Sequence, residues 1–320
     1  MQQQSISPTL AVVAASMFVS LVVLYYLWQK HAAGSYLLAY EPRKRVPWGP
    51  VVALLAITMP TALVMLLSDN SMSATEDLTP ADFIYFGWLQ SLANLGIVVL
   101  GMASLATFLQ ADRQDLGLPR GWRQAASDCW LGSLAMLASL LPIYAVQLSL
   151  TVALESKEQH PLIEHLQDSY SPQMVFVGLG LAVVVAPVYE EFTFRLLLQG
   201  WLEKWEDKLV GYLATSRRAL AGTQRAEVAQ EDPPLVNSRP AHGMIAELPH
   251  GWTPVLASGA LFGLAHFGHG VAPVPLTLFG IVLGYLYQRT HRLLPCIVAH
   301  MAFNAYSMGL LGLQLSEPSV

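Results

Sequence analysis

Apolar positions along the chain gather into long uncharged blocks separated by short polar stretches. A block of roughly 20 apolar residues crosses a bilayer as a helix. The pattern predicts eight such spans: Thr9 to Trp28, Pro47 to Leu67 with a kink at Pro60, Phe83 to Leu109, Cys129 to Leu154, Met174 to Leu202, a short one from Trp252 to Phe267, Pro273 to Tyr287, and Leu293 to Leu313. The fold class expected is all-α, a polytopic transmembrane helix bundle of about eight spans. No internal repeat is evident.

Only one hydrophilic segment is long, Glu203 to Gly251, and it carries Asp232-Pro233-Pro234 and Arg239-Pro240. It reads as a cytoplasmic loop with a short helix near Gly211 to Glu227, too polar and too short to build a core of its own. The chain then divides into residues 1–170, four N-terminal spans with their loops, and residues 171–315, four spans interrupted by the 203–251 loop.

Charge orients this topology. Loops after the first, third, fifth and seventh spans hold fifteen of the seventeen basic residues, among them Arg43, Lys44, Arg45, Arg113, Arg120 and Arg292. The opposite loops have only Lys157 and are acidic. By the positive-inside rule the basic loops face the cytoplasm and both termini lie outside. Met1 to Pro8 carries no positive charge and basic residues follow the first span, which argues against a cleaved secretory leader. In a prokaryote this topology implies the plasma (inner) membrane.

Composition agrees: 54% of residues are hydrophobic and 12% charged, about half the charged fraction of a soluble domain. A net charge of −5 with basic residues in short clusters leaves no nucleic-acid footprint. Cys129 and Cys296 lie inside apolar blocks and read as buried small hydrophobes, not as a disulfide framework.

Against this background a few residues are out of place. The fifth span contains Glu190, Glu191 and Arg195, and each charge near mid-membrane costs roughly 2.5 to 3.5 kcal/mol. Glu191 and Arg195 are four apart, share a helical face and can form an ion pair. Glu190 points about 100° away and is left as the free carboxylate, suited to a general base. The sixth span ends with Phe262 and His266 on one face, and the eighth carries His300 and Asn304 at the same spacing. A lone intramembrane histidine is more often a packed, hydrogen-bonded residue than a catalyst. That reading weakens when every polar exception falls in one region at a spacing that aims two side chains one way. Tyr189, Phe192 and Phe194 read as packing residues, His269 as interfacial.

Glu190-Glu191-x-x-x-Arg195, Phe262-x-x-x-His266 and His300-x-x-x-Asn304 resemble the three motifs of the CAAX prenyl protease 2 family, also called the CPBP or ABI family of intramembrane proteases, which includes lysostaphin-resistance-protein-A-like members. The resemblance covers Met174 to Leu313. It implies an intramembrane endopeptidase acting on a membrane-anchored, prenylated protein or peptide near its C-terminus. Glu190 and His266 would activate water, and His300 and Asn304 would stabilise the oxyanion. Glu191 and Arg195 would be the structural clasp and Phe262 a packing residue. The partners implied are membrane lipid and the membrane-anchored substrate, with no nucleic acid.

Glu190, His266 and His300 could instead bind a divalent metal such as zinc. The resemblance also includes a glutamate-dependent mechanism without metal, which the residue types permit equally well; no two of the residues share a short metal-binding motif, and the reading leans to no cofactor. Cys296, four residues before His300, makes a Cys–His dyad geometrically possible. Two readings from other classes remain: a transporter or proton and ion pathway, and a non-cleaving scaffold or bacteriocin-immunity-type protein. Depth is a further difficulty. Glu190 lies roughly 20 Å from the basic end of its span, His266 roughly 21 Å and His300 only about 10 Å, so tilt, a different end for the eighth span, or a sixth span that crosses only partway has to reconcile them.

Overall fold

The computed structural model describes residues 7–41, 46–67, 79–155, 171–221 and 251–316. Every regular element among them is helical. We number them α1 (Pro8–Ala32), α2 (Pro50–Leu67), α3 (Pro80–Phe108), α4 (Trp122–Ala153), α5 (a continuous helical run, residues 172–221), α6 (Thr253–Leu264), α7 (Pro273–Thr290) and α8 (Leu293–Ser316). Polar residues start two of them. The Ser7 hydroxyl accepts from Leu10 N–H ahead of Pro8. Thr79 and Asp82 close a reciprocal capping box ahead of Pro80, which satisfies amides a helix start otherwise leaves bare.

Among the described residues, six helices, α1 to α5 and α8, are long and apolar enough to cross a membrane. Their most apolar windows are only 6 to 28% buried within the protein. Large apolar side chains such as Phe18, Leu66, Phe108 and Phe176 face outward, as a lipid-solvated surface requires. The chain is an integral, multi-pass membrane protein.

The eight expected helices are present, with one correction to the length of the sixth. α6 has 12 residues, roughly 18 Å of helix against about 30 Å of hydrocarbon. α6 is cut short by a turn containing Gly268 and Gly270, at φ +96° and +54°, followed by Pro273 and Pro275. α6 and α7 pack on each other more extensively than any other described pair. Glycine makes that possible: a Cβ on Gly263 would lie 2.5 Å from Pro273 O, and one on Gly259 would lie 2.9 Å from Ile281 N.

A second correction concerns α5. Its helix does not stop at Leu202 but continues through the first part of the expected polar loop to Ala221. The helix foreseen at Gly211 to Glu227 is therefore, as far as it is described, the end of α5; residues 222–250 lie outside the described residues. No proline interrupts this stretch, and Lys204 fastens its start by donating to Trp48 O at 2.8 Å.

α8 lies against α4, where a Cβ on Gly132 would sit 2.4 Å from Pro295 O. α1 packs on α4 and also touches α8, and α2 and α3 cover α5. Small residues at such crossings let helix backbones approach closely in a membrane.

The loops expected on one side do converge at one end. Arg292, just after α7, donates to Asp128 Oδ1 at the start of α4 at 2.8 Å and also pairs with Glu41 of the α1–α2 loop. His291 Nδ1 donates to Glu41 O at 2.7 Å, and its Nε2 lies 3.2 Å from Glu203 Oε2 on α5. Leu293 N donates to Gly117 O in the α3–α4 loop at 3.0 Å. Burial works against the charge on Arg292, but the carboxylates of Glu41 and Asp128 outweigh it and hold the guanidinium pKa above its usual value. Arg43, Lys44, Arg45, Lys157, Arg225 and Arg239 lie outside the described residues.

Candidate active site

α5 is not a uniform α-helix. Residues Gly180–Val185 and Glu191–Gln199 wind as π-helix, with five α-helical residues, Ala186–Glu190, between them. π turns are rare and concentrate at functional sites. Here the longer one begins directly after Glu190 and carries Glu191 and Arg195. A π turn holds more residues than an α turn and so advances less along the axis per residue. Glu191 thus sits nearer the basic end than α-helical counting places it, which absorbs part of the depth difference with His300.

The ion pair expected within this segment is present: Arg195 Nε donates to Glu191 Oε2 at 3.0 Å, with both side chains fully buried. Glu191 does more than the motif spacing implied. Its other oxygen, Oε1, accepts from His300 Nδ1 at 2.8 Å, which joins α5 to α8. The nitrogen facing a carboxylate carries the proton, so the neutral ring presents Nε2 as a lone pair. That Nε2 is 3.8 Å from Glu190 Oε2. Phe262 and Phe279 pack edge-on to the His300 ring, with centroids 5.4 and 5.6 Å away.

Glu190 is the exposed member of the pair, with 19% of its side chain accessible, yet its Oε2 atom is buried and has no hydrogen-bond partner among the described residues. Both His266 and His300 lie within electrostatic reach of it. His266 stands just past the end of α6, where its ring Nδ1 donates to Phe262 O at 2.9 Å. A carbonyl can only accept, so the neutral ring again leaves Nε2 unprotonated. Asn304, one turn beyond His300, uses Nδ2 to donate to Ala182 O in the first π segment at 2.8 Å. The structure therefore joins Glu190, Glu191, Arg195 and His300 through direct side-chain contacts. It sets His266 beside them and ties Asn304 to a neighbouring stretch of α5.

The packing residues separate clearly. Phe262 is fully buried, lies under the Arg195 guanidinium at 5.1 Å and stacks edge-on with Phe194 at 5.5 Å. Phe192 and Phe194 are buried too. Tyr189 donates to Ala56 O on α2 at 2.9 Å and to no glutamate. His269 is exposed. Cys296 is buried, but its thiol lies 3.6 Å from Leu283 O and 3.7 Å from Arg292 O, which gives it main-chain partners instead of a dyad with His300. Cys129 is exposed, contrary to the buried thiol expected.

Sequence reasoning missed Ser258. It is fully buried on α6, accepts from Arg195 Nη1 at 2.8 Å and donates to Phe194 O at 2.9 Å. Its signal was available, since Ser258, Phe262 and His266 are spaced by four.

The metal alternative asks for donors that converge on one point. Among the described residues no three His, Cys, Asp or Glu do so, and His300 Nδ1 and Asn304 Nδ2 are committed to Glu191 and Ala182. Those two bonds leave the Nε2 atoms of His266 and His300 and the Glu190 carboxylate as the groups that would hold a divalent ion, which would supply a Lewis acid. A cavity of about 270 Å³ opens at the basic end beside Arg113, Arg120 and Arg292, but none of the motif residues line it.

The class defined so far is a multi-pass helical membrane protein with a carboxylate and two imidazoles enclosed where α5, α6 and α8 meet. Residues 241–306 match the family model described as type II CAAX prenyl endopeptidase, Rce1-like. The matched stretch includes Ser258, Phe262, His266, His300 and Asn304. Glu190, Glu191 and Arg195 lie outside it, and the contacts above connect them to it. No curated protein and no solved structure matches the chain.

Proposed function

We propose that this protein is an intramembrane endopeptidase that hydrolyses a peptide bond of a membrane-anchored, prenyl-bearing protein near its C-terminus. The observation that carries the reading is Glu190 Oε2, a buried carboxylate oxygen with no hydrogen-bond partner among the described residues, 3.8 Å from an imidazole nitrogen. Such an atom is costly inside a membrane protein unless something polar meets it. A water held between Glu190 and His266 Nε2 gives up a proton as it attacks the carbonyl carbon, and the proton passes to the departing amine. The remaining N–H of the Asn304 amide donates to the negative oxygen of the tetrahedral intermediate, and His300 joins it once its Nε2 has taken up a proton.

The reaction proposed is glutamate-dependent. The positive-inside rule places the Arg292 end in the cytoplasm and both termini on the other side. The partly crossing α6 delivers His266 from the cytoplasmic face to the depth of Glu190.

The test uses purified full-length protein in detergent, offered farnesylated and unprenylated peptides of the same sequence. Cleavage of the farnesylated peptide that is lost in both Glu190→Ala and His266→Ala supports the reading. Full activity in either variant removes that residue from the mechanism, and equal cleavage of both peptides removes the prenyl requirement. Loss of activity on chelation, with recovery on adding zinc, would replace the glutamate-dependent route with a metal-dependent one.

A further inference from the structure

The buried hydrogen bonds around the candidate site form one unbroken chain across three helices. Ser258 Oγ on α6 accepts from Arg195 Nη1 at 2.8 Å, and Arg195 Nε donates to Glu191 Oε2 at 3.0 Å. Glu191 Oε1 accepts from His300 Nδ1 at 2.8 Å, and His300 Nε2 faces Glu190 at 3.8 Å. Ser258, Arg195 and Glu191 are fully buried and His300 nearly so.

We infer that Ser258 is a positioning residue for this site: by holding the Arg195 guanidinium it fixes the Glu191 carboxylate, and through it the proton position and tilt of the His300 ring.

Each link follows from the donor and acceptor inventory. A guanidinium is a rigid planar fork, so fixing Nη1 fixes the direction of Nε. Arg195 Nη2 has no hydrogen-bond partner among the described residues, which leaves Ser258 as the side chain that orients the far edge of the fork. Ser258 can play this part because its own proton is committed elsewhere, donated to Phe194 O at 2.9 Å. With that bond made, its oxygen can only accept from Arg195. Phe194 lies one residue before Arg195 in the same π segment, so one hydroxyl ties down both the backbone and the side chain of that turn.

The position of Ser258 is itself stiff. The adjacent Gly259 brings α6 into backbone contact with α7, where Gly280 C and Ile281 N lie 3.1 and 2.9 Å from the place a Cβ would occupy. The same short helix presents Ser258 to the Arg195 side of the site and ends beside His266. A shift of α6 therefore moves an orienting group and an imidazole together.

The inference rests on the hydrolase reading only for its kinetic consequence, and its test has a readout that does not. Ser258→Ala and Ser258→Thr are prepared with ¹⁵N-histidine, and the Nδ1 and Nε2 resonances of His300 are assigned by comparison with His300→Gln. Wild type is expected to show His300 protonated at Nδ1. Ser258→Ala is expected to shift the His300 nitrogens toward a tautomer mixture and to lower kcat about 10- to 100-fold, the scale typical when the partner orienting a functional imidazole is lost. KM is expected to stay within about twofold, because no substrate-binding group is removed. Ser258→Thr, which keeps the hydroxyl, is expected to restore both the resonances and kcat.

His300 resonances unchanged in a folded Ser258→Ala protein overturn the inference, whatever happens to activity. So does a Thr variant that melts like wild type yet behaves like Ala. A wild type that cleaves no peptide defeats the hydrolase reading alone, and the His300 resonances still decide the role of Ser258.

Discussion

Glu191 and His300 are joined by a 2.8 Å hydrogen bond between α5 and α8. The carboxylate that balances Arg195 is thus the same group that sets which nitrogen of His300 carries a proton. Glu191 is committed to Arg195 and His300, while Glu190 Oε2 has no hydrogen-bond partner among the described residues.

Glu190→Gln replaces the carboxylate with an amide of nearly the same shape. Peptidase activity is expected to fall about 10²- to 10⁴-fold, the usual worth of a positioned general base. Thermal unfolding in detergent is expected to match wild type, because Glu190 Oε2 has no hydrogen-bond partner among the described residues. Turnover and melting measured on one preparation check both halves.

Glu191→Gln is expected to do the opposite in stability. It leaves the buried Arg195 guanidinium without its counter-charge, a change that costs about 3 to 5 kcal/mol. Activity is lost as well, since a carboxamide no longer enforces a proton on His300 Nδ1. A protein that is inactive but melts like wild type would show that the clasp contributes little to stability.

Gly263→Val tests the α6–α7 contact. A Cβ there meets Pro273 O at 2.5 Å and Thr277 N at 2.8 Å, both main-chain atoms that cannot swing aside. Overpacking of this kind costs about 1 to 3 kcal/mol, and relief pushes α6 away and carries His266 with it. The expected result is a modest fall in melting temperature with a much larger loss of kcat.

Cys296→Ala is expected to retain activity of the same order as wild type, and a thiol-directed reagent is expected not to inhibit. The thiol is turned toward Leu283 O and Arg292 O, and its loss removes only packing. Inactivation by an alkylating reagent in wild type, absent in Cys296→Ala, would return the thiol to the mechanism.

Arg292→Leu is expected to destabilise the basic end more than the double change Arg292→Leu with Asp128→Leu. The single variant strands Asp128, fully buried, without its partner, whereas the double removes both charges. Melting temperatures of the two variants, compared with wild type at neutral pH, provide the check.

Much of this architecture was legible from hydrophobic blocks and charge, and specific residues explain where that legibility stopped. The alternation of basic loops brought the Glu41, Gly117, Glu203 and Arg292 regions to one end, as the contacts among them bear out. The clasp of Glu191 with Arg195 followed from a spacing of four. The π winding did not, because an apolar run has the same composition whether its amides bond four or five residues back. The reach of Glu191 to His300 was equally hidden, since it depends on the relative heights of two helices 109 residues apart in sequence. α6 was read too long because Trp252 to Phe267 stays apolar beyond Leu264, while its end is set by backbone geometry around Gly268 and Gly270.

The nine-residue π segment after Glu190 also bears on any attempt to rebuild this site elsewhere. Copying Glu190, Glu191 and Arg195 onto a regular α-helix of a designed bundle would preserve the letters but not the azimuth, and each turn downstream would face a different neighbour. Excising a single residue between Leu196 and Gln199 is the matching perturbation in the natural chain. It would rewind that stretch, rotate Gln199 and Glu203 away from Gly284 and His291, and test whether the unusual winding or the motif alone holds the helices in register.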